Sequence, residues 1–478
     1  MERLSGLDAS FLYLETGSQL MNVCALLELD PSTAGDDFGF EWFRAELGKR
    51  VETLAPFRRK VHDLPLNLGH PVWVDDPDFD IDRHLHRFAV PAPGGPEELA
   101  YVCAHIAGQP INRDRPLWEM WFLEGLADGT VAVLIKVHHA AVDGVTGANL
   151  ITALCAVEPG QLPPADGDQP PPTRPHDLSI VVDGLLDFAR RPLDVVRLVP
   201  RTLGMVPDWV RRALRGKAMP APFTAPRVSF NGTITGRRGV AFTQLDLAEV
   251  KRVKRCVGGT VNDVLLTVCA GALRRYLSAR GELPEQPLLA TVPVSVHGRS
   301  DLPGTNKVSA LFCSVRTDLA DPAERLRVMA QSNRTAKEHH HAIDANMLQD
   351  WAMFAAPATF GLAVRAYSAL RLAERHPVVH NLVISNVPGP PMPMYLLGAR
   401  VVGMYPFGPV FHGAALNITM LSHAGHVDIG LIGCRELVPD PWSLAEAFAP
   451  ALAELNAVAA ERRPPGARDG GEPTTKTG

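Results

Sequence analysis

The chain has 478 residues, 46% of them hydrophobic and 21% charged, and carries a net charge of −5 at pH 7. That length exceeds what one hydrophobic core serves and predicts two domains of roughly 200 residues each, with the composition of a globular protein. A net acidic balance, without zinc-finger spacing or interleaved basic and aromatic residues, argues against nucleic acid as a partner.

In chain order, the opening MERLSGLDASFLYLE (1–15) is too acidic and too weakly apolar for a signal peptide. Residues 21–30 (MNVCALLELD) read as an extended apolar segment. In 40–54 (FEWFRAELGKRVETL), Phe43, Leu47 and Val51 recur at helical spacing. DDPDFDID (75–82) holds five aspartates but lacks the glycine and closing glutamate of a calcium loop. Its alternation with Phe79 and Ile81 predicts a half-exposed strand instead. Residues 116–118 (PLW) read as a packing element, with Trp118 and Trp121 anchoring the strand that follows. GTVAVLIKVHH (129–139) has the β-branched density of a buried strand, and GANLITALCAV (147–157) reads as the helix after it.

Residues 159–177 hold seven prolines and predict a linker. The stretch 178–217 reads as amphipathic and helical, cut by Pro192, Pro200 and Pro207 and rich in arginine. Two readings stand: a helix lying in a membrane interface, or a crossover packed on the domains with its arginines in water. A second α/β region follows. Its clearest helix is 261–281, its strands are 288–296 and 307–315, and 380–390 is a strand running into a Pro/Gly turn. His339, His340 and His341 would fan over about 200° of a helix and cannot meet at one ion. Residues 462–478 predict a disordered tail. The expected division is therefore 1–158, a linker and basic crossover at 159–225, 226–461, and the tail. The seven cysteines are dispersed, odd in number and without a CxxC pair, which predicts free core thiols in a reducing compartment. No run approaches the roughly 18 to 20 apolar residues that span a bilayer. A cytoplasmic protein that can lie on a membrane, but not cross it, is expected.

KVHHAAVDGVTG (136–147) puts two imidazoles at the end of a buried strand. With an ordinary pKa of about 6.5, histidine is suited to moving protons at neutral pH. Gly144 and Gly147 permit a tight turn, and Asp143 can cap the next helix or pair with an arginine. A core histidine beside an exposed neighbour fits the same local pattern. Zinc fits it less well, because adjacent strand residues face opposite ways and no HExxH follows. A nucleophile elbow, a phosphate-binding loop and a dinucleotide fingerprint are all missing. What remains is base catalysis on a bound nucleophile, without a covalent enzyme intermediate.

HHAAVDG (138–144) resembles the HHxxxDG motif of the CoA-dependent acyltransferase superfamily. PVWVDDPDFDIDRHLHR (71–87), RPLWEMW (115–121), TVNDVLLTVCAGALRRYL (260–277), PVSV (293–296) and SNVPGP (385–390) extend the similarity. In that order they resemble the bacterial wax ester synthase/diacylglycerol acyltransferase family, its mycobacterial branch above all. The resemblance covers about residues 4–460. It implies a two-domain α/β sandwich like chloramphenicol acetyltransferase and condensation domains, with a channel between the domains. It also implies transfer of an acyl group from acyl-CoA, as co-substrate and without cofactor or metal, to diacylglycerol or a long-chain alcohol at a membrane or lipid-droplet surface.

By the same resemblance His139 is the general base, His138 its support, and Asp143 holds the loop. Gly144 leaves room for substrate. Asn262, Asp263, Ser385 and Asn386 are candidates for contacting substrate or its oxyanion, and Trp73, Phe79 and His84 should pack in the first domain. The chain departs from the family pattern at Asn22, at His297 and at Gly304-Thr305-Asn306. Alternative activities are esterification of other long alcohols or polyketide diols, hydrolysis with water as acceptor, and non-catalytic lipid binding on the same fold.

Overall fold

The computed structural model describes residues 2–64, 69–142, 147, 151–159, 220–295, 308–342 and 357–461, with the backbone alone at 257, 295, 308, 337–342 and 357–360. Asp143, Gly144, His297, the 304–306 triplet, the basic 178–217 stretch, nearly all of the linker, the tail and the side chains of His339–His341 lie outside the described residues.

The first half contains β1 (Glu2–Arg3), α1 (Gly6–Leu14), β2 (Asn22–Asp30), α2 (Phe40–Val51), α3 (Ala55–Arg58), β3 (Arg59–His62) and β4 (Val72–Asp75). It continues with β5 (Leu85–Ala89), α4 (Pro96–Ala107), β6 (Trp118–Glu124), β7 (Val131–His138) and β8 (Cys155–Ala156). The second half contains β9 (Arg238–Asp246), α5 (Leu247–Val257), α6 (Val261–Ala279), β10 (Leu288–Ser295), β11 (Val308–Val315), α7 (Pro322–Ala342) and α8 (Pro357–Ala369). Then come β12 (Leu382–Pro388), β13 (Tyr395–Leu396), β14 (Ala399–Phe407), β15 (Leu416–His423), β16 (His426–Cys434), α9 (Pro441–Glu446) and α10 (Phe448–Glu461).

Among the described residues these strands build two large mixed sheets, ordered β5-β6-β7-β2-β14-β13-β8 and β11-β10-β12-β15-β16-β9, and a small β1-β4-β3 sheet. This is the expected α/β architecture. The period-2 rule decides which core each strand residue serves. On β2, Cys24 and Leu26 face one hydrophobic cluster, and Leu27 and Leu29 face another. The second cluster takes the α2 stripe of Phe43, Leu47 and Val51, each fully buried as its spacing predicts. The first runs through both halves, because α4 buries Leu99, Val102 and Ile106 among residues of β2 and β9.

The halves are not closed units at the expected boundary. β13 and β14 leave the second half and enter the first sheet, where β14 pairs antiparallel with β2 from Arg400↔Asp30 to Phe407↔Cys24. The two large sheets meet closely. A Cβ added to Gly430 on β16 would stand 1.9 Å from the Pro406 carbonyl oxygen on β14, so only glycine permits that contact.

Three local expectations change. Residues 75–82 are not a strand: β4 stops at Asp75, Asp76 accepts from Asp78 N–H, and Asp80 caps a turn of 3₁₀ helix at Ile81–Arg83. Short acidic side chains bond their own backbone here more readily than the ladder does. Cys155–Ala156, read as helix, pair with β13. Cys256 is exposed, whereas the other six cysteines are buried thiols. Trp118 and His84 pack as expected: their rings stack at 4.5 Å, and Trp118 Nε1–H donates to Phe57 O at 2.8 Å.

Candidate active site

At the end of β7, Ile135, Val137 and His139 face the cavity while His138 does not, continuing the alternation of the strand. His138 is the last residue of the strand, opposite Asn22 on β2, and is 1% exposed. His139, just past the strand, is half-buried, and its peptide N–H donates to Met21 O at 2.7 Å.

His138 Nδ1 accepts the Ala140 N–H at 3.1 Å. In the neutral ring the proton therefore sits on Nε2, which faces Glu15 Oε2 at 3.6 Å, an ion-pair distance too long for a hydrogen bond. Burial lowers the imidazole pKa below its ordinary value, and Glu15 opposes that shift. Burial alone would raise the Glu15 pKa. His138 and Arg113 outweigh it and hold the carboxyl down at about 2. Arg113 grips Glu15 through both Nε, at 3.1 Å, and Nη2, and also donates to Leu12 O at 2.9 Å. Glu15 Oε1 accepts Met21 N–H at 3.3 Å. One carboxylate thus ties together the end of α1, the start of β2 and the end of β7.

The His139 ring stacks on Phe11, with centroids 4.1 Å apart and planes 14° from parallel. Phe11 and Leu7 lie one turn apart on α1. That helix starts at a capping box in which Asp8 N–H donates to Ser5 Oγ and Ser5 N–H donates to Asp8 Oδ2. Leu7, Phe11 and His139 all line a cavity of about 330 Å³ between the large sheets. Its walls are mostly apolar, and besides His139 its polar side chains come from the second sheet, among them Thr291, Ser385 and Asn417. In such surroundings an electrostatic contact weighs more than it would in water.

Of the expected residues, the structure brings His139 and Ser385 to the same cavity. Asn262 and Asn386 do not line it; they bond each other at 3.2 Å. Asp263 is occupied by the fold. Its Oδ2 accepts the Thr260 hydroxyl and peptide N–H at the start of α6, and its Oδ1 accepts Asn333 Nδ2 at 2.9 Å. Both oxygens are thereby engaged within the fold, and Asp263 does not line this cavity. Glu15, Arg113 and Phe11 were not foreseen. Among the described residues no three His, Cys, Asp or Glu side chains converge as a metal site.

Two lobes of this topology enclosing a histidine-lined cavity define the condensation-domain class of fold. The first condensation domain of the calcium-dependent antibiotic synthetase shares it, with a TM-score of 0.53 at 16% identity over 96% of each chain. The family model for the wax ester synthase/diacylglycerol acyltransferase catalytic domain matches residues 4–265, and that for its C-terminal domain matches 304–456. A Mycobacterium tuberculosis protein named as a diacylglycerol O-acyltransferase is 49% identical over 95% of this chain and 90% of its own. Another from that organism, tgs2, is 36% identical over 90% of this chain and 94% of its own. The solved wax ester synthase/diacylglycerol acyltransferase of Marinobacter aquaeolei VT8 is 31% identical, with a TM-score of 0.69, over 96% of this chain and 100% of that one. The chain belongs to the wax ester synthase/diacylglycerol acyltransferase family and is an acyltransferase of that class.

Proposed function

We propose that the protein transfers the acyl group of a long-chain acyl-CoA directly to the hydroxyl of diacylglycerol, and also to long-chain alcohols, with His139 as general base. The observation that carries the reading is the His139 ring, held by Phe11 and open to an apolar cavity walled by both sheets. The imidazole takes the acceptor's hydroxyl proton as that oxygen attacks the thioester carbonyl. The C–S bond then breaks, and the imidazolium returns the proton to the departing CoA thiolate. The Ser385 hydroxyl, on the opposite wall, is the donor we assign to the intermediate's oxyanion. His138, Glu15 and Arg113 position the strand end. The acceptors dissolve in lipid, so the enzyme works on the cytoplasmic surface of a membrane or a lipid droplet.

Radiolabelled palmitoyl-CoA with diolein, and separately with hexadecanol, tests this. Wild type should yield triacylglycerol and wax ester, and His139→Ala should lower kcat by about 10²- to 10⁴-fold with an unchanged circular dichroism spectrum. Equal rates for the two proteins would remove His139 from the chemistry. Free fatty acid as the sole product would make water the acceptor.

A further inference from the structure

Large hydrophobic side chains that stay exposed call for an occupant when they gather on one surface. Leu362, at 67% exposed, and Leu370, at 55%, stand two helical turns apart at α8, with exposed Ala366 between them. The helical bond from Leu370 N–H to Ala366 O keeps them on one stripe. A chain of ring contacts continues the surface: Tyr367 Oη meets His376 Nε2 at 2.6 Å, and the His376 ring meets the edge of Phe223 at 6.0 Å. Phe223 is itself 55% exposed and held at a φ of 66°, a left-handed conformation that costs a phenylalanine energy.

The charge along this surface is mostly positive. Arg365, Arg371 and Arg375 are exposed on and just past α8. From 357 to 377 the acid is Glu374, 2.7 Å from Arg371. An apolar stripe rimmed by arginine matches the acyl chains and the anionic headgroups of a lipid leaflet together. The opposite side of α8 packs on α1, where Gly361 stands against the Tyr13 carbonyl. α1 in turn carries Leu7 and Phe11 to the cavity.

We propose that α8 and Phe223 form the surface by which this protein seats on a bilayer leaflet rich in anionic phospholipid, one helix away from His139. The inference rests on the acyltransfer reading for its purpose, since a lipid acceptor must leave that leaflet to reach the cavity.

The test uses the full chain with Cys256→Ser and a polarity-sensitive fluorophore on Leu362→Cys. On phosphatidylglycerol/phosphatidylcholine vesicles the emission should shift to the blue and be quenched by lipids brominated in their acyl chains. On phosphatidylcholine alone it should do neither. Leu362→Glu with Leu370→Glu should slow acylation of vesicle-borne diolein by about tenfold or more, while acylation of dissolved hexanol stays within about twofold of wild type. The proposal is overturned if the label stays in water while the chain sediments with vesicles, or if it is shielded before vesicles are added by a second copy or another part of this chain. Should the label enter the bilayer while neither acceptor is acylated, the docking surface stands and the acyltransfer reading fails.

Discussion

Glu15 is the residue on which the two imidazoles most depend. It faces His138, holds the Met21 amide beside the carbonyl that receives His139, and is itself gripped by Arg113. Its pKa, about 2 against an ordinary 4.5, makes it a stabilising group whose contribution is complete above pH 4.5 and disappears as pH falls toward 2. His138 acts in the same direction. Its pKa is lowered in the fold, so protonating the unfolded chain below the ordinary imidazole value also favours unfolding. Urea denaturation at stepped pH should show wild type losing on the order of 2 kcal/mol more than Glu15→Gln between pH 5 and pH 2. Parallel curves would mean that the carboxylate is not charged against these partners. The two histidines were legible in the sequence because they are adjacent and end an apolar run. Glu15 was not: its partner Arg113 lies 98 residues away, and within FLYLET it reads as the polar end of a short helix.

α6 shows how an element's start was legible while its meaning was not. Thr260 and Asp263 have the spacing of a capping box, and the structure forms one. The resemblance also places Asp263, with Asn262, among the candidates for contacting substrate or its oxyanion. Its second oxygen receives Asn333 from α7, so the side chain joins two helices as well as closing one. Asp263→Ala should cost about 2–3 kcal/mol in thermal or urea unfolding, from the lost cap and the stranded amide, and leave KM for both substrates within about twofold. A raised KM with unchanged stability would place Asp263 at the substrate site. The strands β2 and β7 and the helices α2 and α6 were readable because one periodicity dominates each. Residues 75–82 and 155–156 were not. The first obey aspartate turn chemistry, and the second pair with Tyr395–Leu396, a partner more than 200 positions along the chain.

At the scale of the whole molecule, the sheets are joined where β14 crosses into the first sheet, and that junction carries two acids, Glu28 half-buried and Asp428 fully buried. Glu28 on β2 accepts the Tyr405 hydroxyl at 3.4 Å. Asp428 on β16, fully buried, accepts Met404 N–H and Gln244 Nε2 at 2.8 Å each. Nothing local in NVCALLELD marks Glu28 as anything but a solvent-facing acid, because its neighbours come from the far half of the chain. Burial raises the Glu28 pKa to about 7, with Asp428 adding repulsion, and raises that of Asp428 to about 6. A carboxyl whose folded pKa is raised contributes fully below its ordinary pKa, and that contribution is lost as pH rises through the folded value. The junction therefore weakens toward the alkaline side, while the Glu15 cluster weakens toward acid, so the two set opposite edges of one stability window. Between pH 5 and pH 8 the unfolding free energy of wild type should fall by on the order of 2 kcal/mol more than that of Glu28→Gln, which keeps the acceptor for Tyr405 without the titration. If both proteins follow the same curve, Glu28 is already ionised at pH 5, and the sheets are held together without its proton.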